Sequence, residues 1–179
     1  LAAKACGLRL VLGSELALAD GMKLVLLAPD RESYGNLSQL ITRGRRSATK
    51  GRYTLTRGDV AAQAGGLLAL WIPPIDADAP AAARWVAATF PGRAWIAVEL
   101  AVRAGDRARL AQLGEWSRAS GLPQVAAGDV HMHVRARRAL QDTLTAIRLR
   151  TPLTERGYAL HPNGERHLRS RARIATLYP

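Results

Sequence analysis

The sequence predicts an α/β domain with mainly parallel strands, and three observations support that fold class. Short apolar runs alternate along the chain with stretches in which apolar residues recur at helical spacing. Glycine, proline or Asp-Gly pairs separate the two kinds of segment. The chain has 179 residues, one domain's worth, and 48% of them are apolar, which is enough for a hydrophobic core. We therefore expect a sheet covered by helices, either barrel-like or doubly wound.

The predicted strands and helices are bounded by local signals. Asp20-Gly21 is a turn signal between the first two strands, and Asp30 stands where the N-cap of a helix is expected. Residues 56–59, Thr-Arg-Gly-Asp, have the form of a capping box and predict the start of a short helix. The predicted strands are 8–12, 23–28, 67–72, 95–100 and 124–127; the predicted helices are 30–43, 56–64, 78–90, 106–119 and 134–149.

The last thirty residues differ from the rest of the chain. From Arg150 onward, prolines, glycines and arginines interrupt any long period, which is typical of a connector. We therefore predict an incomplete α/β domain over residues 1–149 and an Arg-rich connector over residues 150–179. The chain opens on what looks like the end of a helix, closed by Gly7, so we expect it to be a piece of a longer parent protein.

Composition and motifs argue against several classes of protein. Cys6 is the only cysteine, so the chain forms no internal disulfide and no thiolate cluster can hold zinc; this usage fits a reducing cytoplasm. The longest apolar stretch, residues 64–75, is too short for a bilayer and contains two prolines, so no membrane span is expected. Gly65-Gly66 precedes a strand and lacks the Lys-Ser/Thr of a phosphate-binding loop.

The positive charge is concentrated toward the C-terminus. The chain has 26 Lys and Arg against 14 Asp and Glu, a formal charge of +12, and residues 131–179 hold ten arginines but three acids. Clustered cations favour a phosphate-rich partner because they release condensed counterions on binding. The alternative is a coding bias, since 23 of the 26 basic residues are arginine. Composition leaves both explanations open.

Four side chains able to bind a metal stand near the predicted carboxyl ends of strands. They are Glu15 after the first strand, Glu99 in the fourth, and Asp129 and His131 after the fifth. Asp129 and His131 are two residues apart, so in an extended segment both point to one face and can share one ion. Carboxylate and imidazole suit Zn²⁺, Mn²⁺ or Fe, which assist phosphoester cleavage by activating water. The alternative for Asp129 is a loop carboxylate that caps the next helix.

The other histidines and the tryptophans are assigned ordinary roles. We predict that His133 lies on the surface, and that His161 and His167 are solvent-exposed or contact phosphate. The tryptophans are expected to lie in the core rather than to form a base-stacking platform. They are Trp71, Trp85, Trp95 and Trp116.

Two segments carry a family resemblance. Residues 128–133 are Gly-Asp-Val-His-Met-His, and residues 162–168 are Pro-Asn-Gly-Glu-Arg-His-Leu. The first resembles the PHP (polymerase and histidinol phosphatase) domain of C-family bacterial DNA polymerases, and both look more like the error-prone branch of that family. The resemblance covers essentially all of the chain. Further matching segments are 10–15, 24–40, 95–100 and 140–149.

The resemblance implies a fold and a metal centre. The fold would be a distorted (β/α)7 barrel, incomplete in this chain. The centre would include Glu15, Asp129 and His131, with Glu99 as a further candidate, and would hold Zn²⁺ or Mn²⁺. The family's centre also uses an N-terminal His-x-His, and this chain has none upstream of Glu15.

The resemblance also implies a parent protein that is a DNA-directed DNA polymerase of damage-tolerant synthesis. Its Mg²⁺-binding aspartates would lie in a later polymerase core, joined in cis, so the fragment itself is expected to be inactive. The connector arginines Arg166, Arg169, Arg171 and Arg173 would lie against protein or against nucleic-acid phosphate. The alternatives are a free-standing PHP-type metal-dependent phosphoesterase and a noncatalytic basic nucleic-acid-binding module.

Overall fold

A computed structural model of the chain describes residues 2–74, 79–155 and 157–178. It confirms the α/β class. The chain divides into two compact units, the first comprising the chain up to Ala97 with Gln112–Val125, the second Val98–Ala111 and the chain from Ala126 onward. The elements are α1 (Ala2–Ala5), β1 (Leu12–Ala17), β2 (Lys23–Ala28), α2 (Arg31–Arg46), α3 (Arg57–Ala62), β3 (Leu68–Ile72), α4 (Ala79–Thr89), β4 (Ala94–Glu99), α5 (Asp106–Ser120), β5 (Gln124–Ala127), α6 (Arg138–Leu149) and α7 (Arg171–Leu177).

The sheet runs in chain order, β1-β2-β3-β4-β5. β2 pairs antiparallel with β1 and with β3, whereas β3 and β4 are parallel. The expectation of mainly parallel strands is therefore wrong for the first two pairings. β1 and β2 are joined by a tight hairpin, in which the N–H of Leu18 donates to Met22 O at 2.8 Å, so they can only be antiparallel.

The antiparallel pairing of β2 and β3 has a different cause. After α2 has led the chain away from the end of β2, residues 56–67 bring it back along the sheet. The amide of Asn36, near the start of α2, donates to Gly65 O at 2.9 Å, which marks the point of return. β3 therefore begins at the end of the sheet where β2 stopped.

The first strand lies later in the sequence than predicted. The predicted strand 8–12 is wrong, because β1 spans Leu12–Ala17 and pairs Leu12 with Ala28 and Ala17 with Lys23. The hairpin sets this register, so β1 can extend only as far as its partner strand reaches. Leu8 and Leu10 lie before it, and their side chains are exposed.

Both predicted helix starts in the first unit are confirmed. Asp30 caps α2 and accepts hydrogen bonds from the backbone N–H of Ser33 at 2.9 Å and from its hydroxyl at 2.8 Å. These two donors, the backbone N–H first, lower the pKa of Asp30. Thr56 and Asp59 form the capping box of α3. The predicted start of the next helix at Asp78 lies outside the described residues.

The first unit contains a continuous apolar core between the sheet and its helices. Alternate residues of β2, Leu24 and Leu26, have no exposed surface. Trp71 of β3 is also fully buried, which confirms its predicted core position, and its ring stacks on that of Trp116 at 6.2 Å between centroids. No helix of the described residues is both long enough and apolar enough to cross a membrane.

Helix α2 runs three residues past its predicted end at residue 43, and it includes Gly44, which packs directly on Leu55. A Cβ at Gly44 would lie 2.8 Å from Leu55 Cγ, and Leu55 is buried. We expect Gly44→Ala to lower the free energy of unfolding by about 1–2 kcal/mol, because overpacking outweighs the better helix propensity of alanine. Urea unfolding followed by circular dichroism measures this.

Gly35 in the same helix is the matched control. Apart from its chain neighbours and the backbone of α2 itself, no heavy atom of the described chain lies within 4 Å of the position that its Cβ would take. Gly35→Ala should therefore raise the free energy of unfolding by up to about 1 kcal/mol. Equal shifts for the two variants would show that Leu55 yields without cost.

Candidate functional site

Three of the four predicted metal ligands belong to the second unit. Glu99 is the last residue of β4, and Asp129 and His131 follow β5, as predicted. Nε2 of His131 lies 3.0 Å from Oδ1 of Asp129, so the two side chains meet. They do so across a turn rather than along an extended segment, because Asp129 has a φ of 40°, in the left-handed region.

The fourth predicted ligand, Glu15, lies in a different setting. It is within β1, opposite Val25, and its side chain is exposed. Its predicted place just beyond the first strand is therefore wrong, for the same reason that the strand itself was misplaced. Its role as a metal ligand stays a prediction.

The guanidinium group of Arg166 lies beside the carboxylates of Asp129 and Glu99. Arg166 forms an ion pair with Asp129, and its Nη1 lies 4.0 Å from Oε2 of Glu99. The side chain of Arg166 is only 14% exposed. The structure thus brings together Glu99, Asp129 and His131, with an arginine among them that the sequence reasoning had assigned to nucleic acid.

Backbone hydrogen bonds fix the position of Arg166. Its carbonyl oxygen accepts from the N–H of His131 at 2.9 Å and of Met132 at 3.2 Å. The N–H of Leu168 donates to Met132 O at 2.9 Å, and Met132 and His167 form a short parallel bridge. The segment around residue 166 is therefore paired with the turn that carries Asp129 and His131.

These residues do not fit a divalent metal as they stand. Among the described residues, no group of three or more His, Cys, Asp or Glu side chains is arranged to hold a metal ion. A metal bound by Asp129 and Glu99 would have to displace the guanidinium of Arg166. The assignment of Zn²⁺ or Mn²⁺ to Glu15, Glu99, Asp129 and His131 stays a prediction.

His161 lies beside His131, with 4.8 Å between ring centroids. Burial lowers the pKa of His161, and the nearby charges of His131 and Arg103 lower it further. His161 is half-buried beside His131 rather than fully exposed, and the alternative that it contacts phosphate stays a prediction. His133 is exposed, as predicted.

A second ion-pair cluster surrounds Glu165, which is 8% exposed. Its carboxylate pairs with Arg135, and Nη2 of Arg169 lies 3.6 Å from Oε2. Nη1 of Arg169 donates to Leu100 O at 3.0 Å, and Nη2 donates to Glu165 O at 2.7 Å. The side chain of Arg169 is only 4% exposed, so it is a structural group of this unit.

The residues beyond 149 are bound to the second unit at several points. The amide of Asn163 donates to Ala101 O at 2.7 Å. The hydroxyl of Tyr178 accepts from Leu100 N–H at 3.1 Å and donates to Ala127 O at 2.8 Å. The division of the parent into a domain ending at residue 149 and a connector stays a prediction. Within this chain, residues 150–178 belong to the same compact unit as α6.

The four arginines predicted to bind nucleic acid fall into two pairs. Arg166 and Arg169 are held by carboxylates and carbonyl oxygens of the second unit. Arg171 and Arg173, in the first turn of α7, have exposed side chains. The nucleic-acid role of all four stays a prediction, but only the second pair faces solvent.

The sequence reasoning did not identify Arg109 as part of the site. Burial lowers the pKa of Arg109, and the carboxylate of Glu99 opposes that shift. Arg109 lies on α5, and no local pattern distinguishes it from the other arginines of that helix.

In the second unit, carboxylates at or after the ends of two strands therefore lie beside a partly buried arginine. No protein-family model matches the chain. The chain is 54% identical, over its whole length, to part of a protein named error-prone DNA polymerase from Dechloromonas aromatica, of which it covers 18%. Proteins of the same name from Methylococcus capsulatus and Pseudomonas aeruginosa are 52% and 51% identical over 99% of the chain. The chain spans less than a fifth of the length of these curated relatives.

Proposed function

We propose that the chain is the PHP-type part of an error-prone DNA polymerase and serves there as a scaffold beside the polymerase core. The observation that carries the proposal is the 54% identity, over the whole chain, to a segment of the Dechloromonas aromatica error-prone DNA polymerase. In the parent, the sheet would be completed to the distorted barrel of the PHP family. Nucleotide transfer would use Mg²⁺ bound by aspartates of the core, in the cytoplasm, with DNA as the partner.

The contacts of the arginine side chains in the second unit support the scaffold role. Arg166 and Arg169 bind carboxylates and carbonyl oxygens of their own unit, so the strand-end groups hold the fold together. A hydrolytic centre would instead need these carboxylates for a metal and its bound water. The charged cluster therefore supports a structural part of a larger enzyme better than an independent phosphoesterase.

The test is primer extension by the full-length protein that contains these residues. We expect Mg²⁺-dependent, template-directed incorporation of nucleotides on an undamaged template and past an abasic site. A protein that extends no primer but hydrolyses a phosphomonoester with Mn²⁺ would overturn the proposal in favour of the free-standing phosphoesterase.

The exposed arginines of α7 are expected to contact DNA phosphate in the parent. Replacing Arg171 and Arg173 together with alanine should reduce the slope of log K against log [salt] by about 2, because each phosphate contact contributes about 0.9. Fluorescence anisotropy of a labelled primer-template at several salt concentrations measures the slope. The paired replacement of Arg84 and Arg118, exposed arginines of the first unit, is the control and should leave it unchanged. An unchanged slope for the α7 pair would show that these are solvated charges only.

A further inference from the structure

We propose that the guanidinium of Arg166 takes the place of the metal cation in this unit, so that Asp129 and Glu99 are neutralised by an arginine and bind no divalent ion. The inference goes beyond the proposed function, which would hold whether or not a metal were bound here. It rests on the contacts of Arg166 and on the charges around it.

The geometry places one cation between two strand-end carboxylates. Arg166 pairs with Asp129 and lies 4.0 Å from Glu99, while His131 contacts the other oxygen of Asp129. The side chains of Arg166, Asp129 and Glu99 are 14%, 27% and 24% exposed. A guanidinium with its donors in a planar fork can serve two carboxylates at once, as a metal ion would.

Arg166 is also held at this position by its backbone. Its carbonyl oxygen accepts from two N–H groups of the turn that carries the predicted ligands, those of His131 and Met132. Gly164 packs so closely on Arg135 that a Cβ there would lie 2.8 Å from Cγ of Arg135. The backbone of Arg166 therefore cannot move away from this turn without breaking the pairing of residues 166–168 with residues 131–132.

The surrounding charges oppose a second cation. Arg166 pairs with Asp129, and Nη2 of Arg138 donates to the carbonyl oxygen of His161 at 2.9 Å, beside the ring of His131. A divalent ion entering beside Arg166 would meet these like charges at short range in a partly buried site.

The first test uses metal titration of the full-length protein. Wild type and Asp129→Asn are freed of metal and titrated with Zn²⁺ and, separately, with Mn²⁺ in a calorimeter. We expect the same number of bound ions for both proteins, since sites elsewhere in the polymerase are common to them. One further equivalent in the wild type, lost in Asp129→Asn and in His131→Ala, would overturn the inference while leaving primer extension and the proposed function untouched.

The second test measures the ion pair itself by hydrogen exchange in the full-length protein. Arg166→Ala should speed exchange of the amides of His131, Met132 and Leu168 by about tenfold or more, because Asp129 loses its guanidinium partner and keeps only the imidazole of His131. In the double variant Arg166→Ala/Asp129→Asn the acceleration should be much smaller. Equal acceleration in the single and double variants would overturn the inference. Arg171→Ala is the control and should leave these amides unchanged.

Discussion

Replacing Trp71 with alanine is expected to cost about 3–5 kcal/mol of the free energy of unfolding, enough to remove most of the stability of an ordinary domain. The ring has no exposed surface, lies opposite Leu24 on β2 and Ile96 on β4, and stacks on Trp116. Truncation would leave a cavity at the centre of the sheet. Urea unfolding followed by far-ultraviolet circular dichroism measures the loss.

Two further replacements separate packing from other effects. The indole nitrogen of Trp71 is buried and has no hydrogen-bond partner in the described part of the chain, so Trp71→Phe discards an unsatisfied donor and should cost under about 1.5 kcal/mol. Trp85 is partly exposed on α4 beneath the guanidinium of Arg57, at 5.3 Å, and Trp85→Ala should cost about 1 kcal/mol. A similar loss for Trp71→Ala and Trp85→Ala would contradict the central position of Trp71.

The parts of the fold that depend on neighbouring residues were predictable from the sequence. The capping boxes at Asp30 and Thr56 need only residues three positions apart, and β2 coincides with its predicted range. β1 was misplaced because an apolar run does not determine where its partner strand ends. The antiparallel alignment of β3 with β2 likewise depends on a return of the chain through residues 56–67, which no single segment encodes.

The same distinction applies to the candidate site. The spacing of two residues predicted that Asp129 and His131 share one side, and they do meet, although a turn at Asp129 rather than an extended segment brings them together. The partners of the arginines are far apart in the chain, as for Arg169 and Leu100, which are separated by 69 positions. The resemblance and the charge of the tail placed these arginines against protein or nucleic-acid phosphate without deciding between the two, because a sequence gives no measure of which cations become buried. For this reason the sequence did not predict that Arg166 lies beside Glu99, Asp129 and His131.

Arg169→Ala is expected to cost about 2–4 kcal/mol of the free energy of unfolding. The change removes the donors to Leu100 O and Glu165 O, and it leaves the buried carboxylate of Glu165 to Arg135 alone. Arg169 links the backbone at Leu100 to the backbone at Glu165. The loss of this link should appear as a lower midpoint of urea unfolding. It should also weaken protection of the amides of residues 166–168 against hydrogen exchange.

Two variants distinguish a structural Arg169 from a phosphate-binding one. Arg171→Ala, two positions later in an exposed turn, should change the free energy of unfolding by less than about 0.5 kcal/mol. Arg169→Lys should recover only part of the loss, because an ammonium group cannot reproduce the two-pronged geometry that spans Leu100 and Glu165. If Arg169→Ala were as stable as Arg171→Ala and instead lowered the salt slope of DNA binding, the side chain would be free for phosphate. Because the side chain of Arg169 is only 4% exposed, we expect Arg169 to stabilise the fold and Arg171 to be the arginine that is available to phosphate.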